Sequence, residues 1–153
     1  MRKLPILLVF VCLLLAPSTP AGASLRPPES KLLQAVNAAR TARGLRPLRL
    51  DSALTQAARA HSVDMLGHGY FAHGDFSGRM TAYHVRGSRM GEDLAWGNGP
   101  YARAAAVVQE WLGSPEHRAN LLDPRFTRLG VGVASGSFHG SSGASVVTAD
   151  FAG

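Results

Sequence analysis

Six histidines and ten carboxylates are the groups in this 153-residue chain that could move protons or hold a metal. Their neighbours rank them. His117 lies in Ser114-Pro115-Glu116-His117-Arg118, where a hydroxyl at the N-cap, a proline at the first helical position and an acid in the first turn open a helix. The positive end of a helix favours neutral imidazole, the form that binds metal or accepts a proton. His73 follows Tyr70-Phe71 in a loop bracketed by Gly69 and Gly74, the kind of segment that carries sites. Glu92 sits at the centre of a short strand expected over 90–97. Two neutral imidazoles with a carboxylate can hold a divalent metal such as zinc and leave one coordination place open. The same three residues can equally form a hydrogen-bonded network that ties loop, strand and helix together. No His-x-x-x-His pair occurs, so spacing alone does not decide between these readings.

Other polar residues read as structural. His61 shares a helical face with Leu54, Ala57, Ala58 and Met65, so it is expected to be buried and satisfied by the backbone or a neighbouring side chain. His68 and His84 are expected at the surface, and His139 falls in a Gly/Ser-rich stretch. A thiol or serine nucleophile has little support. The one cysteine is Cys12, and no serine stands in a Gly-x-Ser-x-Gly turn.

Stepping outward, the elements that must position these residues follow from periodicity and punctuation. A first helix is expected from Ser30 to Gly44, with Leu32, Leu33, Val36 and Ala39 as its apolar stripe. Pro47 makes 45–50 an extended connector. Asp51 caps a second helix that runs to Leu66, with Gly67 as its stop. A short helix is expected over 79–84, and an Ala/Val-rich helix over 102–112 ends with Trp111 facing the core. The alternation in 129–133 predicts a strand, 135–143 a loop, and 144–151 a second strand paired antiparallel with the first.

Composition bounds the rest. With 17% charged and 46% hydrophobic residues, the chain suits one globular domain. Arg2-Lys3, the apolar run 4–16 and Ala21-Gly22-Ala23 form the three regions of a secretory signal peptide over 1–23. Residues 24–29 then read as a short linker, and 30–153 as the domain. The apolar run is too short for a membrane span. Val11 before Cys12, in mid-run, argues against lipidation. Loss of Arg2 and Lys3 takes the formal charge from +6 to +4, and the arginines are scattered along the sequence without interleaved aromatics, so no nucleic-acid footprint is indicated. An attraction to anionic wall polymer or lipid headgroups is consistent with that charge and unspecific.

Several motifs in order resemble one family. These are Asn37-x-x-Arg40, Gly44-Leu45-Arg46-Pro47-Leu48, His61-Ser62-x-Asp64-Met65, Tyr70-Phe71-x-His73, Gly91-Glu92-Asp93-Leu94-Ala95, His117-Arg118-x-Asn120-Leu121-Leu122 and Gly130-Val131-Gly132-Val133. Together they resemble the CAP superfamily of cysteine-rich secretory, antigen 5 and pathogenesis-related domains, in the cysteine-free form of secreted bacterial proteins. The resemblance implies an α+β fold: an α-β-α sandwich with a small antiparallel sheet between helical layers. It also implies a cleft of two histidines and two glutamates. Here His73, Glu92 and His117 match, while Ser114 falls where the second glutamate is expected. The function implied is a secreted, extracellular, non-enzymatic binding module for an unknown lipid, glycan or protein. The alternative is a metal-dependent hydrolase using His73, Glu92 and His117, with His73 and His117 as metal ligands.

Overall fold

The computed structural model describes residues 24–153; the expected signal peptide and Cys12 lie outside them. In chain order the elements are α1 Pro27–Thr41, β1 Arg49–Leu50, α2 Ser52–His68, α3 Phe76–Ala82, β2 Met90–Asn98, a 3-10 turn Gly99–Ala102, α4 Ala104–Gly113, α5 Pro115–Leu121, β3 Arg128–Phe138 and β4 Ser141–Ala152. The sheet order is β1-β3-β4-β2. Three strands are antiparallel, as expected, and β1 adds a two-residue parallel pair to β3. The sheet is therefore mixed rather than purely antiparallel.

Side-chain alternation gives the sheet two buried faces. Val147, Ala149 and Phe151 of β4 pack with Leu129 and Val131 of β3 against Leu32 and Val36 of α1, Val107 and Trp111 of α4, and Leu121 of α5. On the other face Val146 and Leu94 meet Met65 of α2, and Ala152 meets Leu54 and Ala57 of α2 and Met80 of α3. This is the α-β-α sandwich. Gly130 and Gly132 set its thickness on the α2 side, because a Cβ at either position would run into the α2 backbone at Leu54–Thr55 or Ala58–Arg59.

Element ends depart from expectation for local reasons. α1 starts at Pro27, inside the expected linker, because Pro27 takes the first helical position and Glu29 accepts from the Arg26 backbone as in a capping box. Glu29 is fully buried; burial alone would raise its pKa, but hydrogen bonds from Arg59 and Arg26 hold it at about 2. α2 runs through Gly67 and stops at Gly69, which is left-handed at φ 69°. α3 begins at Phe76 and ends before His84. The expected 135–143 loop is mostly ladder. β3 and β4 continue to Phe138 and Ser141 around a two-residue turn, with His139 at φ 46° and Gly140 at φ 79°, the paired left-handed conformation that suits strand twist. Ser114 is at the N-cap of α5, but its hydroxyl makes no capping hydrogen bond.

Candidate functional site

Glu92 is the hub of the site. It lies on β2, the edge strand, with 6% exposure. The free edge beside it is covered: Asn120 of α5 donates to the Glu92 carbonyl at 3.2 Å, and the Trp111 indole donates to the Leu94 carbonyl at 2.9 Å. α4 and α5 thereby satisfy backbone groups that an edge strand would otherwise present to a second chain. The Glu92 side chain points to the α2–α3 face. Its Oε1 is 2.7 Å from His73 Nδ1, and its Oε2 accepts from the Arg79 guanidinium.

The loop between α2 and α3 delivers both partners. Gly69 turns the chain out of α2, and Asp75 caps α3 by accepting from the Gly78 N–H at 2.9 Å. Arg79 then lies one turn into α3, where it also donates to the His73 carbonyl at 3.3 Å and stands over the Phe76 ring. His61, buried as expected, donates from Nε2 to the Ala72 carbonyl at 3.0 Å and comes within 3.9 Å of Glu92 Oε2. Burial lowers its pKa, against the pull of the Glu92 charge, so it packs as a neutral ring beneath the loop.

Two further carboxyls flank the hub. Asp150 of β4 is the register partner of Glu92 and fully buried; no donor reaches either of its oxygens, and its carboxyl lies within hydrogen-bond reach of that of Glu92. Burial first, and then the negative charge of Glu92, push its pKa well above the usual carboxylate range. It is thus the uncharged member of a carboxyl pair in which Arg79 and His73 support the charge of Glu92. Asp93, on the opposite face, accepts from Asn120 at 2.9 Å and is raised to about 7, chiefly by burial.

His117 enters from α5. It is half-buried, and its Nδ1 is enclosed with no hydrogen-bond partner. Burial lowers its pKa; Glu110 opposes this, while a positive His73 adds to it. The two imidazoles are therefore within electrostatic reach of one another. Of the expected set, His73 and Glu92 are in direct contact and His117 is coupled to His73, while no hydrogen bond ties the Ser114 side chain to the group among the described residues. Arg79 and Asp150 escaped the sequence reading, in which His61 is a buried structural residue. Arg79 could have been suspected as the first cation of the helix after the His73 loop, but the pairing of Asp150 with Glu92 depends on strand register, which no local pattern shows.

A three-ligand metal set of His73, Glu92 and His117 does not fit this arrangement. Both oxygens of Glu92 are engaged, one by a permanent cation, and no three His, Cys, Asp or Glu side chains among the described residues are arranged to hold a metal ion. A large concavity lies elsewhere, a groove of about 720 Å³ between α1 and α4, floored by Leu32, Ala35, Val107 and Val147.

The family model of the cysteine-rich secretory protein (CAP) family matches residues 33–151. Among curated proteins, Bacillus subtilis YkwD is 37% identical over 126 residues, covering 78% of this chain and 48% of its own length. The Bacillus subtilis membrane protein YlbC is 36% identical over 110 residues, covering 69% and 31%. The chain thus spans about half or less of these relatives. Among solved structures, an extracellular SCP-domain protein of Bacillus anthracis superposes with a TM-score of 0.70 at 28% identity, over 85% of this chain and 44% of that one. An outer surface protein of Borrelia burgdorferi shares the fold alone, with a TM-score of 0.67 at 20% identity over 85% and 98% of the two chains. With the family model spanning nearly the whole described domain, the chain belongs to the cysteine-rich secretory protein (CAP) family.

Proposed function

We propose that the protein is a secreted binding module whose ligand is held between His73 and His117, and that it is not a hydrolase. The observation that carries this reading is the unequal use of the polar groups. The His73 side chain is 56% exposed with its Nε2 uncommitted, and His117 Nδ1 has no partner, while Glu92 spends both oxygens on His73 and Arg79. A ring nitrogen left exposed on His73, above a carboxylate already engaged, offers a polar ligand a hydrogen-bonding surface and supports recognition over a mechanism in which Glu92 acts as the base. No described helix is long and apolar enough to cross a membrane, and the extracellular Bacillus anthracis relative supports export.

Native-state mass measurement of protein collected from the medium tests this reading, with His73→Ala and His117→Ala beside the parent. An adduct on the parent that both variants lose supports it, and identical bare masses in all three overturn it. A second reading, a lipid-binding module, rests on the apolar groove between α1 and α4. It is separated in the same measurement by an apolar adduct lost in Ala35→Glu and retained in His73→Ala.

A further inference from the structure

We propose that the arginine-rich end of the domain, where β2 and β3 begin and β4 finishes, is a docking surface for a linear polyanion, an acidic or phosphate-bearing glycan chain. This surface is separate from the His73–Glu92 group. Arginines far apart in sequence converge here. Arg49 of β1 is the register partner of Arg128 of β3. Arg128 in turn donates to the Arg86 carbonyl, and Arg89 lies 3.8 Å from Asp123. Beneath them the buried Arg40 acts as a staple: it donates to the carbonyls of Arg46, Leu121, Asp123 and Phe126, and so binds the 45–47 loop to the 121–126 turn.

The charge at this end is one-sided. Arg43, Arg46, Arg49, Arg86, Arg89 and Arg125 are exposed, and Arg128 is half-buried. The carboxylates among them are Asp51, held by Arg128, and Asp123, held by Arg125. Eight arginines against two aspartates leave a local surplus of +6, equal to the formal charge of the whole chain. Everything else in the sequence therefore sums to neutrality. Among the described residues Arg43, Arg46 and Arg49 have no carboxylate within ion-pairing distance; Arg43 donates to the Ala39 carbonyl, while the guanidinium groups of Arg46 and Arg49 are available for paired hydrogen bonds to phosphate or carboxylate.

Shape narrows the partner. A groove of about 590 Å³ runs between the two loops, with Arg46 and Arg49 on its rim and Pro47, Pro124 and Phe126 in its wall. A chain can lie in such a groove, and the flat face of a bilayer cannot. Phe126 is only 3% exposed, so no aromatic ring is offered there for stacking nucleic-acid bases, the usual support for single strands.

The test is calorimetric titration of the full exported protein with polygalacturonate and with a glycerol-phosphate polymer, using neutral dextran as the reference. Duplex DNA and vesicles of anionic phospholipid serve as the other arms. Both acidic polymers should bind at low salt, dextran should not, and affinity should fall steadily as salt rises, as counterion release requires. Replacing Arg46 and Arg49 together by Ala should weaken binding by about tenfold or more at low salt. Removing the same charge elsewhere, with Lys31→Ala and Arg103→Ala, should leave it nearly unchanged. Circular dichroism confirms the fold of each variant; should the first pair fail to fold, Arg43→Gln with Arg49→Gln replaces it. Equal weakening in both pairs overturns the proposal in favour of net charge alone. Tighter binding to DNA or vesicles than to either polymer overturns the choice of partner, and binding that ignores salt overturns the electrostatic basis.

Discussion

Replacing Asp93 by Asn should stabilise the protein, and the gain should grow with pH. Asp93 is fully buried on β2, with its Oδ1 held by Asn120 and its Oδ2 without a partner, and burial raises its pKa from 3.8 to about 7. Between those values the native state keeps a proton that the unfolded state has lost, so the stability from this group is fully present below 3.8 and drains away as pH rises to about 7. At about 1.4 kcal/mol per pH step the whole loss comes to about 4 kcal/mol, of which about 3 kcal/mol falls above pH 5. Asn keeps the acceptor for Asn120 and carries no charge. Other groups slope differently: His61 and His117, with lowered pKa values, gain stability as pH rises toward 6.5, and Glu29 is spent below 4.5. The quantity to measure is therefore the gap between Asp93→Asn and parent in urea unfolding at pH 5, 6, 7 and 8, followed by the fluorescence of the buried Trp111. The gap should widen by about 2–3 kcal/mol from pH 5 to 7 and then level off. A gap that stays constant with pH would refute the assignment of a neutral buried carboxyl at Asp93.

Four further substitutions probe the frame. Trp111→Ala should cost about 3–5 kcal/mol for a buried aromatic, with a further contribution from the Leu94 carbonyl left without its donor; a urea midpoint that hardly moves would contradict its burial. Gly132→Ala should lower stability by about 1–3 kcal/mol, because the new methyl meets the α2 backbone at Ala58–Arg59, and an unchanged melting temperature would mean that the α2–β3 approach is looser than described. Arg79→Ala should cost about 3–5 kcal/mol by leaving Glu92 with its charge largely uncompensated, whereas His73→Ala, at a half-exposed ring, should cost about 1 kcal/mol or less; denaturant curves in which the order is reversed would remove Arg79 from its place as the counter-ion.

What could be read in the sequence follows from the range over which each cause acts. Although α1 ends at Thr41, ahead of the expected Gly44, the presence of the helices, the burial of His61 and Trp111, and the hairpin of β3 and β4 rest on causes within a few residues and stand in the structure. The hairpin's length did not, because Ser135, Gly136 and Ser141 have weak strand preference of their own and are held extended by the partner strand, with Ser135 Oγ 3.1 Å from Ser145 Oγ. The candidate site divides the same way. His73, Glu92 and His117 could be named because each sits at a recognisable turn, helix start or strand centre. Their chemistry could not, since it depends on Asp150 lying opposite Glu92 in register and on Arg79 reaching across from α3. Two carboxyls are buried side by side in adjacent strands with one guanidinium between layers; burial and the neighbouring Glu92 push the Asp150 pKa up, while Arg79 and His73 occupy the oxygens of Glu92. That distribution ties His73, Glu92 and Arg79 into one hydrogen-bonded group, with His117 beside it and its Nδ1 without a partner.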